Sequence, residues 1–293
     1  MTYSPYVGVG DFPPLGEYKQ LRRWSGRSIP WGPDGQWSAA FGSGAGVLDQ
    51  LVELINDFPR RVADRYPSKA EAFPVALGCV PWFNSVRVAD ALMRMGSHCI
   101  CVDKSSLDRS VVQALLTHDR GVANYFIPDL RFAWRIGHDG SPAVIGPGTP
   151  IEESEEYLEP VRVVDWAHQR GKHFPILHAK LAVLCAAWRW ENDGGGYDDH
   201  LTPLVAWCGS ANWTETASRH IEFGAWTTDE DLCTQMMHFL ADVIRFSEAP
   251  TSETAGPEPD LAEAEWDDAA FAEYAAEWGY DDPDAHQGGP DSS

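Results

Sequence analysis

The sequence predicts an α/β fold in which a mixed or parallel sheet is flanked by helices. Two observations carry this prediction. Strand-length apolar runs alternate with helically spaced ones between residues 73 and 116. Two later runs, 176–184 and 204–208, are nearly all apolar, as expected of central strands buried on both faces. The composition agrees: of 293 residues, 44% are hydrophobic and 23% charged, the profile of a globular domain.

The elements follow in order. Residues 1–45 are rich in Gly, Pro, Trp and Ser, with turn signals at Pro13-Pro14 and Trp31-Gly32-Pro33-Asp34-Gly35, and read as an irregular arm. The domain proper is expected over 46–247. Val47, Leu48, Leu51, Val52, Leu54, Ile55 and Phe58 repeat at three-and-four spacing and predict a helix. A strand is expected over 73–80, a helix over 86–95, a strand over 99–102 and a helix over 106–116. Their short connections imply parallel strands. Residues 122–127, 132–136 and 161–166 are expected to extend the sheet, with 221–227 a further strand and 232–246 a closing helix. The Gly-rich insertion at 188–200 reads as a loop near the site entrance or, more plainly, a surface hairpin. The last segment, 248–293, has the composition of a disordered acidic tail. Leu261, Trp266, Phe271, Tyr274 and Trp278 leave open a helix that forms on docking.

Charge is unevenly spread. The net charge is −22, but residues 248–293 hold 14 Asp and Glu and no Lys or Arg, leaving −8 on the rest. No strongly basic domain exists, so any phosphate-binding surface must be local. No apolar run reaches the ~18 residues of a membrane-spanning helix, and residues 1–17 lack the pattern of a secretory leader. Six cysteines without a CxxC pair argue against a zinc site or a disulfide framework. A reducing cytoplasmic setting, without metal or cofactor, is the expectation.

The residues that carry chemistry lie between 173 and 227. His178-Ala179-Lys180 falls on the run 176–184, and in a strand residues two apart share a face, so the imidazole and ammonium are expected side by side. A Lys there needs an anionic partner. Gly209-Ser210-Ala211-Asn212-Trp213-Thr214 follows the next apolar strand, where α/β sheets bind ligands. Its Gly permits close backbone approach, and Ser210 and Asn212 can donate to phosphate oxygens. Taken alone, each motif also fits a capped core histidine or an ordinary turn. Glu222, on the next strand, can hold an imidazole N–H.

This ordered set resembles the active-site motif of the phospholipase D superfamily, and the Gly-Ser-x-Asn-Trp-Thr form is similar to its nuclease branch. The stretch from Val80-Pro81-Trp82-Phe83-Asn84-Ser85 to Ile100-Cys101-Val102-Asp103 is like the opening strand–helix–strand of those domains. The likeness spans about residues 73–246. It implies a metal-independent phosphodiesterase in which His178 attacks phosphorus, Lys180, Ser210 and Asn212 hold its oxygens, and Glu222 orients the imidazole. The chemistry needs two histidines. None of His98, His118, His138 and His168 has Lys two residues later, so a homodimer with two facing His178 residues is implied. Two positions depart from the pattern: Cys185 stands where the family has Asp, and His220 where it has Asn.

Arg170, Lys172 and His173, just before the motif, are candidate substrate contacts with Gly209. Lys19, Arg22, Arg23 and Arg27 in the arm, and Arg60, Arg61 and Arg65 near Lys69, are further candidates for a nucleic-acid backbone or plain solvated faces. The expected function is a nuclease, an endonuclease binding DNA or RNA, in a setting such as prokaryotic defence or DNA processing. The tail or arm would serve a larger complex or regulation. A phospholipid phosphodiesterase and a non-catalytic nucleic-acid-binding or assembly subunit are the alternatives. No basic amphipathic helix favours a membrane surface, and no stable membrane insertion is expected.

Overall fold

The computed structural model describes residues 28–31, 37–67, 72–118, 121–131, 133–136, 141–147, 157–164, 177–191, 197–250 and 259–277. Strands β1 (Ser28–Trp31), β2 (Trp37–Ser43), β3 (Phe73–Val80), β4 (Ser97–Asp103), β5 (Val161–Val164), β6 (Leu181–Glu191), β7 (Tyr197–Gly209) and β8 (Ile221–Thr227) form one eight-stranded sheet. Their order is β1-β2-β8-β7-β6-β3-β4-β5. Helices α1 (Gly44–Arg65), α2 (Val86–Met95) and α3 (Ser110–His118) cover one face, and α4 (Glu230–Arg245) covers the other.

The central strands are buried on both sides, and strict alternation divides them between two cores. In β6, Ala182, Leu184 and Ala186 join Leu51, Ile55 and Phe58 of α1, whereas Val183, Cys185 and Ala187 join Met237, Leu240 and Ile244 of α4. Burial pushes the Cys79 and Cys185 thiols well above their ordinary range, and that of Cys233 up to about 11. These are small apolar fillers rather than reactive groups.

The sheet is mixed. The expected parallel arrangement holds for β3, β4 and β5 alone. Strand β6 runs antiparallel to β3, with Leu181 opposite Cys79 and Ala187 opposite Phe73, and every pairing from β6 to β1 is antiparallel. Apolar patterning reports burial and leaves direction open.

The register sets several sequence expectations right. Strands β6 and β7 form a long hairpin paired from Leu181–Cys208 to Glu191–Tyr197. The described parts of the insertion, 188–191 and 197–200, therefore pair as the far end of that hairpin, which is the surface hairpin of the two readings. Glu191 lies ten residues along the strand from Leu181, or about 33 Å, away from the site entrance. A bulge after Leu184 sits beside Pro203, which has no N–H for a ladder. The segments at 122–127 and 132–136 do not extend the main sheet. Val122–Ala123 pairs with Tyr157–Leu158, and Ala133–Arg135 pairs with Leu261–Glu263. Part of the presumed irregular arm is regular: β1 and β2 continue the sheet beyond β8.

The acidic tail is likewise structured over 259–277. Leu261 is buried in the α4-side core, Glu265–Trp266 pairs with Val144–Ile145, and Asp268–Glu277 forms helix α5. Composition predicted disorder there, but Asp260 bonds a guanidinium buried in the domain, Arg162. Among the described residues no helix is long and apolar enough to cross a membrane.

Candidate active site at the β6–β7 edge

Because β6 and β8 run against β3 and β7, their amino ends meet the carboxyl ends of β3 and β7 at one edge of the sheet. His178-Ala179-Lys180 lies in the stretch that feeds β6, not on the strand itself. The expected side-by-side projection is replaced by a division of exposure. His178 is exposed, while Lys180 is only 7% exposed and folds back so that its Nζ donates to His178 O at 2.7 Å.

The backbone ties the two motifs together. Gly209 N–H donates to Lys180 O at 3.1 Å. A side chain at Gly209 would put its Cβ 2.7 Å from Phe223 O, so only glycine lets β7 run this close to β8 at its end. Ser210 N–H donates to Phe223 O at 3.0 Å, and Phe223 N–H donates to Ser210 Oγ at 3.0 Å. The Ser210 hydroxyl donates to Glu222.

The turn beyond is anchored from below. Trp213 is fully buried edge-on to Phe83, centroids 5.5 Å apart. Its carbonyl accepts from Asn84 and Ser85 N–H, both at 2.9 Å, and Asn84 Oδ1 accepts from Glu215 N–H at 2.9 Å. These contacts hold Asn212 at the edge. Its carboxamide oxygen is buried without a hydrogen-bond partner among the described residues. Such an orphan costs about 1–3 kcal/mol, and half a turn of the carboxamide brings its NH2 to the same place.

Burial lowers the Lys180 pKa, and the nearby charge of Glu222 offsets that only in part. Lys180 thus has one direct bond to a neutral carbonyl and an under-compensated charge, which suits it to an anion. Glu222 departs from the role the resemblance implied. Its partners are Ser210 and, 3.7 Å from its Oε1, the Nδ1 of His220, which is 64% exposed; it makes no ion pair with His178. An exposed imidazole, a buried ammonium and a carboxamide can attack and bind a phosphate diester, whereas the Ser210 hydroxyl, expected to donate to phosphate oxygens, gives its one proton to Glu222 and accepts from Phe223 N–H.

Cys185, in place of the family's Asp, is buried among Val75, Val183 and Ala187, where a carboxylate would lack partners. The site contacts proposed at Arg170, Lys172 and His173 lie outside the described residues, as do Lys19, Arg22, Arg23 and Arg27 and Lys69. Arg60 and Arg61 are held by Asp57, and Arg61 and Arg65 border a cavity with Thr202, Pro203 and Thr228, away from Lys180. Sequence reasoning assigned no role to Trp82, which is 54% exposed and precedes Phe83, the residue bridged to Trp213 of the Asn212 turn. Its signal was a Trp two residues past the end of a buried strand.

Fold and site together define an α/β domain with a mixed sheet and a His-x-Lys/Gly-Ser-x-Asn edge. No family model and no curated protein matches the sequence. Among solved structures, the chain is similar to NucT from Helicobacter pylori, with TM-score 0.42, 13% identity, and 73% of this chain and 99% of that one covered. It is also similar to a phospholipase D family member, Nuc from Salmonella typhimurium, with TM-score 0.38, 12% identity, and 70% and 93% covered. TrmBL2, an archaeal chromatin protein, matches with TM-score 0.35, 10% identity, and 74% and 55% covered. Likeness at these values carries no functional argument, which rests on the side chains.

Proposed function

We propose that the chain is a phosphodiesterase of the phospholipase D type acting on nucleic acid without a metal. The observation that carries this reading is the Gly209–Lys180 backbone bond, which holds a buried, under-compensated ammonium beside the Ser210–Asn212 turn. The His178 imidazole nitrogen gives its lone pair to phosphorus, and the bond from phosphorus to the leaving oxygen breaks. The leaving oxygen takes a proton from the His178 of a second copy, facing across a two-fold axis. That neutral imidazole then removes a proton from water, whose oxygen displaces His178 from phosphorus. Lys180 and Asn212 stabilise the negative oxygens throughout.

The test is hydrolysis of bis(p-nitrophenyl) phosphate and of single- and double-stranded DNA and RNA in excess EDTA. Wild type should cleave, and His178→Ala should lose roughly 10³-fold or more. Equal activity in the variant, or none until a divalent ion is added, refutes the mechanism.

A further inference from the structure

We propose that Trp82 is a stacking platform for an unpaired base next to the scissile phosphate, so that the site takes single-stranded nucleic acid over duplex. The inference rests on the phosphodiesterase reading and names its substrate class.

Three observations place the indole for this. Phe83 and Trp213 form a parallel bridge, which sets Trp82 alongside Asn212. Phe83 is 1% exposed and turned into the core, so alternation turns Trp82 outward, where it is 54% exposed with no ring partner among the described residues. Its backbone is also pinned on both sides. Pro81 O accepts from Asp103 N–H at 3.1 Å and from Ser106 Oγ at 3.0 Å, while Asn84 N–H is held by Trp213 O at 2.9 Å. With its backbone held, the indole has only two side-chain torsions to fix on binding, a low entropic cost.

Charge points the same way. Outside residues 248–293 the chain carries a net −8, so any cationic surface is local, and a duplex, with about twice the phosphate density of one strand, asks more of it. Affinity must come from elsewhere, and stacking of bases on aromatic rings is the other general source. A duplex base is already stacked on both faces and reaches an indole only after being drawn out. An unpaired base has a face to give.

The experiment compares full-length wild type, Trp82→Ala and Trp82→Phe on a single-stranded oligonucleotide, the same sequence as a duplex, and methyl p-nitrophenyl phosphate, which has no base. Trp82→Ala should lower kcat/KM on the single strand by roughly 5- to 150-fold, chiefly through KM. Its rate on the small diester should be unchanged, and Trp82→Phe should keep most single-strand activity. Unchanged single-strand cleavage by Trp82→Ala overturns the proposal. So does an equal loss on the small diester, or a fall in oligomer mass by light scattering, which would make Trp82 an interface residue. Wild type inactive on all three substrates overturns the phosphodiesterase reading, and this proposal with it. Wild type active on the small diester but indifferent to strandedness overturns this proposal alone.

Discussion

Two buried cations in this molecule are treated in opposite ways. Arg162 on β5 is 0% exposed and saturated: Nε donates to Ser247 Oγ at 2.7 Å, Nη1 to Glu159 at 2.6 Å, and Nη2 to Ser247 O at 3.1 Å and to Asp260. Burial works against its charge, but Asp260 and Glu159 more than reverse that and raise its pKa. Lys180 is nearly as buried, yet its direct partner is one neutral carbonyl, and burial prevails to lower its pKa. A charge kept for architecture is fully paired, whereas one kept for a ligand is left in need of one.

The largest expected effect is on the saturated side. Arg162→Met leaves Glu159 and Asp260 without their shared cation and should reduce stability by about 3–5 kcal/mol in urea unfolding. It should also expose residues 259–277 to proteolysis, because Asp260 is their link to β5. A loss under about 1 kcal/mol would mean that the pairing is not structural.

The converse holds for Lys180→Met, which should lower kcat/KM by about 10²–10³-fold while unfolding near the wild-type midpoint. A large loss of stability with little loss of activity would reverse the comparison. The pH dependence sharpens it. Because the folded-state pKa of Lys180 is lowered, the ammonium is lost at lower pH than for an ordinary lysine. Activity should fall on an alkaline limb that starts below the usual lysine range of about 10.4. Lys180→Arg, even if slower, should lack that limb, since a guanidinium stays charged there.

The smallest effect belongs to a cation exposed to water. Arg60, on the open face of α1, pairs with Asp57 at 2.6 Å and Asp64 at 3.1 Å. Arg60→Ala should change the thermal midpoint by no more than a degree or two, with the difference shrinking in high salt. A larger change would show that pairing geometry matters more here than burial.

Much of the site was legible because its chemistry is local. His178-x-Lys180, Gly209-Ser210-x-Asn212 and Glu222 sit in short segments that end or begin apolar strands, and the register joins them at one edge. The partner of Glu222 was not legible. Residues two apart on a strand suggest a shared face, but which carboxylate meets which imidazole depends on how tightly two strands approach, here governed by Gly209. Trp82 was read as part of a motif, and its exposure follows from a bridge between Phe83 and Trp213, 130 positions apart in sequence order.

By itself the sequence determined the two-sided burial of β6 and β7, the amphipathic faces of α1 and α4, and the residue types at the candidate site, because these follow from side-chain chemistry at periods of two and 3.6. Tertiary structure alone decided the reversal of β6, the distance of the hairpin tip from Lys180, and the docking of residues 259–277. Strand direction leaves no mark on an apolar pattern. An acidic segment reads as solvated until a buried guanidinium 98 residues away, as Arg162 is from Asp260, supplies the charge that composition cannot reveal.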